Sequence, residues 1–364
     1  MPLRSTRAFS LVELLIALVI IAIVGGASLA TLWFAFNTAN QVDDYTAANT
    51  EIEQAVQQLG REFTLVGLGM PNNRSGRGSF ASAFAYPAHP PIMALMGVSG
   101  DVWGGPVTVG NHNPSNEYNA TTMDGSVNWR ADASLPGGGV YAGRELYYAW
   151  GIPTGLKARY TSSSPDPTKV QKGDKVTVTK FYTSSGVSGK NFLENFKYES
   201  RTIGLQDNNA SRGRNPATWL LFPTLRVPLL LEGWTSEGLI ATLAADADQS
   251  VEGLVMGLDE VHLLQVARLR LNTREELEQI IFGADYTDAT SNTVKILAER
   301  IVGVHFSYNP LTRLLTMYIA ARGRERHPVA FAPPHAWVSW LPALPAEALH
   351  YRLAAKSITW RIRN

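Results

Sequence analysis

Hydrophobic positions fall into distinct patterns along the chain. From Phe9 to Ala30 almost every side chain is apolar, and a single acid, Glu13, interrupts the run. Further on, Tyr45, Ala48, Ile52, Ala55, Val56, Leu59, Phe63 and Val66 recur at steps of three and four. That spacing makes one apolar stripe on a helix. Asp43, Asp44, Asn49, Glu51, Glu53, Gln54, Gln57, Gln58 and Arg61 fill the remaining positions and are assigned to the opposite face. Nothing breaks the pattern before Pro71. It predicts a single helix of about 60 residues, apolar all round in its first half and amphipathic in its second. The second half needs a sheet to cover its stripe. Gly25-Gly26 lies between the halves. Such a pair marks either a place where the helix bends or a close contact between helices.

Beyond Met70 the pattern changes. Asn72-Asn73, Pro90-Pro91, Gly104-Gly105 and Pro136-Gly137-Gly138-Gly139 punctuate a loop-rich stretch to Gly143, with short strands at most. Strands are predicted at Glu145–Trp150 and Asp174–Tyr182, the latter alternating with period two. Apolar runs at Trp219–Leu231 and Leu254–Leu271 also read as strands, with bends at Pro223 and Pro228. TREELEQIIF, Thr273–Phe282, predicts a short helix, because Thr273 and Glu276 have the spacing of a capping box. Ala298–Asn309 leads from a helix end into a strand. Asn309-Pro310 turns, Leu314–Ala321 returns as the second strand of a hairpin, and Leu349–Asn364 closes the sheet. The fold class is therefore α+β: a long N-terminal helix on an antiparallel sheet, with a large loop-rich insertion.

Charge and composition narrow the function. The formal net charge is +1, from 32 basic and 31 acidic residues, so no global field draws the chain to nucleic acid or anionic lipid. Cysteine is absent, which excludes disulfides, thiolate metal sites and cysteine nucleophiles. No HExxH, GxSxG or phosphate-loop pattern occurs, and the reading is non-enzymatic, without cofactor or metal. Gly186-Val187-Ser188-Gly189-Lys190 has the spacing of a surface turn. His89, His112, His262, His305, His327, His335 and His350 never take metal-ligand spacing. Asp246 to Glu252 alternates oxygen ligands but lacks the glycine and distant glutamate of a calcium loop. Arg322, Arg324 and Arg326 form a candidate basic patch, with Trp337 and Trp340 following. Such a patch could grip DNA through its phosphates, although Glu325 interrupts it and the tryptophans could equally pack on the core.

The N-terminus carries the most specific signal. Arg4 and Arg7 precede an apolar run of about 22 residues, long enough as a helix to cross a bilayer core. Basic residues before a span keep that end cytoplasmic. A cleaved secretory signal and a plain anchor are two ordinary readings, and neither explains Glu13, whose carboxylate costs several kcal/mol inside a membrane. Ala8-Phe9-Ser10-Leu11-Val12-Glu13-Leu14-Leu15 closely resembles the class III signal of type IV prepilins and pseudopilins. The resemblance implies cleavage by prepilin peptidase between Ala8 and Phe9, then N-methylation of Phe9. The family's usual residue before the cut is glycine; here it departs to Ala8, which is still small. Glu13 becomes the fifth mature residue, where the family carries a glutamate that neutralises the N-terminal ammonium of a neighbouring subunit. A carboxylate in that place sets register, since a helix inserted at the wrong height leaves two charges unpaired.

The C-terminal part resembles the PilW family of minor pilins more narrowly. ILAERIVGVHFSYN enters a hairpin, and the terminal strand ends in Trp360-Arg361-Ile362-Arg363-Asn364. The implied layout is a leader (1–8), a transmembrane or filament-core helix (9–32) and an amphipathic helix entering the head (33–69). A head region of unmatched sequence (70–290) and a C-terminal pilin sheet (291–364) follow. The implied function is that of a minor pilin in pilus assembly or initiation, at or near the tip. Its partners would be prepilin peptidase, other minor and major pilins, and the inner-membrane assembly platform. The protein would sit in the bacterial inner membrane with its N-terminus cytoplasmic, then in an extracellular pilus. A J-type minor pseudopilin of a type II secretion system, and a pilus-borne adhesin or DNA-uptake subunit, are the alternatives.

Overall fold

A computed structural model describes residues 10–68, 107–110, 141–162, 175–182, 197–198, 201–202, 219–221, 229–234, 238–243, 259–281, 293–309 and 312–363. Helix α1 runs unbroken from Leu11 to Phe63, as the periodicity predicts. It ends in a turn through Leu68, where Gly67 takes a positive φ of 81°. That turn passes straight to the head: the Gly67 N–H donates to Ala149 O at 3.0 Å, and the Gly151 N–H donates to Leu68 O at 2.7 Å. Gly151 is required here, since a Cβ would stand 2.9 Å from that carbonyl oxygen.

The strands range from two to 18 residues in length. They are β1 (Val107–Gly110), β2 (Tyr141–Gly143), β3 (Glu145–Ser162), β4 (Lys175–Tyr182), β5 (Lys197–Tyr198) and β6 (Arg201–Thr202). Then come β7 (Trp219–Leu221), β8 (Leu229–Trp234), β9 (Gly238–Leu243), β10 (Asp259–Leu271) and β11 (Leu277–Ile281). Last are β12 (Thr293–Ala298), β13 (Ile301–Asn309), β14 (Leu314–Arg326) and β15 (Tyr351–Arg361). Nine strands form an antiparallel sheet in the order β1-β3-β4-β9-β8-β7-β10-β11-β12. Because β3 also pairs with β10, the strands β3-β4-β9-β8-β7-β10 close into a ring. A second sheet has the order β15-β14-β13-β2, so the predicted hairpin and closing strand are joined by β2 from far upstream.

Two predicted helical segments are strands. Thr273–Phe282 contains β11, and the segment before Ile301 contains β12, the edge of the nine-stranded sheet. Asn272 supplies the reason for the first. Its side-chain oxygen accepts from the backbone N–H of Arg274 at 2.9 Å and of Glu276 at 3.0 Å. The resulting Asx turn reverses the chain instead of starting a helix. Leu277, Ile280 and Ile281 are spaced as on a helix, yet every residue of this five-residue run is buried between β10 and β12.

Helix α1 covers the core formed where the sheets meet. Ala48, Ile52, Ala55, Leu59, Phe63 and Val66 are fully buried, whereas Tyr45 stands outside the stripe and is half exposed. Phe63 meets Tyr148 and Trp360 edge-on, with centroids 5.3 and 4.8 Å away. The other face of the small sheet is covered by the segment 328–350, whose Trp337, Leu341 and Leu344 form a second cluster with Val302 and Leu353.

Tyr308 lies in the main core on β13. Burial pushes its hydroxyl pKa up to about 12, and the Arg313 charge pulls it partly back. Its neutral form therefore favours the folded state, with the contribution complete below pH 10 and lost as pH rises towards 12. We expect stability to fall by about 3 kcal/mol over that interval through this group. The difference between wild type and Tyr308→Phe in unfolding series from pH 9 to 12 measures it; parallel curves would refute it.

Candidate functional site: an apolar stem and its seat on the head

Residues 10–43 of α1 are all exposed, including Leu11, Leu14, Ile16, Ile20 and Trp33. By length and composition the helix could cross a membrane. An exposed apolar surface of this extent needs lipid or other apolar helices around it. Gly25 and Gly26 lie inside the helix, and nothing stands within 4 Å of either Cβ position. Ala8 and Phe9 fall outside the described residues. Ser10 is the N-cap, and Glu13 has a local role that its membrane position had not suggested. The Ser10 Oγ accepts from the Val12 N–H at 3.3 Å, and the Glu13 Oε2 accepts from the Ser10 N–H at 3.0 Å. The S-x-x-E spacing of this capping box was visible in the sequence.

The helix is held on the head by its acids. Asp44 and Glu51 do not face solvent, as the polar face had been assigned, and Glu53 is only partly exposed, whereas Asp43, Asn49, Gln54, Gln57, Gln58 and Arg61 are exposed. Glu53 pairs with Lys356 on β15. Glu62 accepts from the Tyr148 hydroxyl at 2.8 Å and from the Gln279 amide. Glu51 pairs with Arg300 and accepts from the Glu299 N–H at 2.9 Å. It thereby clamps the turn between β12 and β13, where Arg300 takes a φ of 56°. Non-glycine residues rarely adopt that conformation without support from their surroundings.

Asp44 is the first buried side chain of α1. Its Oδ1 accepts from the backbone N–H of Arg324 and from that of Glu325 at 3.1 Å. These amides are free because the pairing of β14 with β15 shifts register between Arg322 and Arg326. Gly323 lies directly against the carboxylate, and a Cβ there would overlap it.

Of the three arginines of the predicted basic patch, Arg322 and Arg326 are ion-paired. Arg322 donates to Glu275 at 2.6 Å and stacks over the Tyr351 ring at 4.4 Å. Arg326 pairs with Glu347 at 2.8 Å; this raises the arginine's pKa and lowers the glutamate's. Arg324 contributes its backbone amide to Asp44. Of the tryptophans, Trp337 is buried, while Trp340 meets Tyr318 edge-on at 5.0 Å. Glu275 also accepts from the Ile301 N–H through its carbonyl, at 2.7 Å, and the Arg322 N–H reaches Arg300 O at 2.9 Å. Asp44, the β14 bulge, the turns at Glu275 and Arg300, and Glu51 thus form one connected seat. The segments Gly186–Lys190 and Asp246–Glu252 lie outside the described residues. His305, His327 and His350 are held by Trp340, Phe331 and the His327 carbonyl respectively.

Residues 3–29 match the family model described as Prokaryotic N-terminal methylation motif. No curated protein and no solved structure matches the chain. The motif, the apolar helix and the antiparallel sheets behind it support a type IV pilin-like protein with an α+β fold, bearing a prepilin-type methylation signal. The motif implies processing by prepilin peptidase and association with pilins and membrane assembly machinery.

Because the Asp44 carboxylate and Gly323 occupy one space, their variants are expected to couple. Asp44→Ala strands two amide donors and should cost about 2–3 kcal/mol. Gly323→Ala should cost at least as much through overlap. The double variant should be more stable than the sum predicts, by 1 kcal/mol or more. Unfolding of the full chain in detergent gives all three values; strict additivity would contradict the seat.

Proposed function

We propose that this chain is a minor pilin of a type IV pilus, most similar to the PilW family, acting in assembly or initiation at or near the tip. The single observation that carries the reading is the methylation motif on a helix whose first 33 residues are exposed and whose remainder is seated on a folded head. Prepilin peptidase cuts between Ala8 and Phe9 and methylates Phe9. The stem waits in the inner membrane with its N-terminus cytoplasmic, then joins the filament core beside the stems of other minor and major pilins. Glu13 neutralises a neighbour's N-terminal ammonium there. In the free chain the same carboxylate accepts from the Ser10 N–H, so it arrives already oriented at the start of the helix.

The tip position is argued from bulk. A nine-stranded sheet and a four-stranded sheet share one stem, and so broad a head is hard to repeat in a tightly staggered filament. The role is structural rather than enzymatic. A J-type pseudopilin would share the same signal and plan; filament type separates the two, since one copurifies with pili and the other with a secretion apparatus.

Intact mass and N-terminal sequencing of the protein from membranes should find Phe9 first, with one added methyl group. A start near Leu29 or Leu32 would mean an ordinary secreted protein, and a retained Met1 a plain anchor. Glu13→Val should be processed normally yet leave an ammonium uncompensated in apolar surroundings. At about 2.5 kcal/mol per stranded charge, incorporation into filaments should fall roughly 60-fold. Quantitative immunoblots of sheared filaments against membranes read this ratio, and an unchanged ratio would remove the register role.

A further inference from the structure

A cavity of about 110 Å³ opens where the two sheets meet, on the face of β13 turned towards the segment 328–350. Val302, Val304, Trp337 and Leu344 line it and are all buried, while Arg144 and Ala343 line it and are exposed. The lining is thus mostly apolar, and Arg144 is the one charged residue in it. Arg144 sits between β2 and β3, where the chain crosses from the small sheet to the large one. It pairs with no carboxylate among the described residues; the adjacent Glu145 is taken by Arg268 at 2.6 Å.

The walls are preformed. A Cβ on Gly303 would lie 2.6 Å from Leu344 and 2.8 Å from Trp337, so both side chains rest directly on the β13 backbone. The Trp337 Nε1 donates to Pro342 O at 2.9 Å and fixes the loop in that pose. No side chain has to move for the space to exist. A preformed apolar hollow with one convergent cation fits a ligand that joins an apolar group to an anion.

We propose that this cavity is a peptide-docking site, taking one branched aliphatic side chain of a partner polypeptide while a carboxylate beside that side chain meets Arg144. Size selects the occupant. The space is smaller than a cavity of about 150 Å³ that holds benzene. It admits a leucine-sized group. Charge selects the neighbour, since a guanidinium binds a carboxylate through two parallel N–H donors. The site does not depend on the pilin reading.

The test uses the full chain in detergent and three probes: Ac-Leu-Asp-NH2, its isostere Ac-Leu-Asn-NH2, and acetyl-leucine. Saturation-transfer NMR should give Ac-Leu-Asp-NH2 a Kd on the order of 1 mM, as expected for a ligand of this size. Ac-Leu-Asn-NH2 should bind about tenfold more weakly, and acetyl-leucine more weakly than the aspartyl peptide. Arg144→Gln should abolish the difference between the two peptides, and Ala343→Phe should block both. Both positions are exposed, so neither variant threatens the fold. No binding of the aspartyl peptide at about 10 mM would overturn the proposal. So would equal affinity for the two peptides, or a preference that survives Arg144→Gln. Acetyl-leucine binding as tightly as the peptide would make this a site for small acids and overturn the peptide assignment.

Discussion

A buried carboxylate must be met by donors, and at Asp44 the donors are backbone amides of β14. That requirement shapes everything around it. The amides are available only because the β14–β15 ladder slips register between Arg322 and Arg326. The approach is open only because residue 323 has no side chain. Arg322, at the edge of the same slip, reaches Glu275, whose carbonyl accepts from Ile301, the first residue of β13. One acid on the helix is in this way connected to both sheets. The apolar stripe supplies the affinity of helix for head. The acids at its border decide where along the sheet the helix lies, because hydrophobic contact is non-directional and charged hydrogen bonds are not.

The stem must satisfy two surroundings with one uninterrupted backbone. Up to Val42 its large side chains are bare, and from Ala48 onward a dry stripe is covered by protein. Between them stand Asp43, exposed, and Asp44, buried. The change of environment therefore falls at adjacent acids, one for water and one for the head. A prepilin-type signal at one end and a two-sheet head at the other give the chain the plan of a pilin-like protein.

The stem was the most legible part of the sequence, because its spacing repeats over many turns and no proline interrupts it. The destination of its acids was not legible. Asp44, Glu51 and Glu53 look like solvent-face residues, and their partners lie more than 240 positions away, at Arg300, Arg324 and Lys356. The partners of the basic run were hidden for the same reason, since Glu275 and Glu347 reach Arg322 and Arg326 from other segments. Capping boxes show how little a four-residue signature settles. Thr273 and Glu276 have the spacing but follow Asn272, whose side chain takes the Glu276 amide for a turn. Ser10 and Glu13 have it too and do cap a helix. The ring through β3 and β10 could not be read at all, because alternation marks a strand without saying which distant strand it pairs with.

The uncovered length of α1 makes the Asp44 contact a matter of leverage. Thirty-three residues at 1.5 Å each place the far end of the stem about 50 Å from its last attachment. A tilt of about 10° there would swing that end by about 9 Å, one full spacing between packed helices. A loose joint would thus displace the far end of the stem by the width of one helix. The tight fit of a carboxylate against a glycine converts angular tolerance at the head into positional accuracy at the far end of the stem.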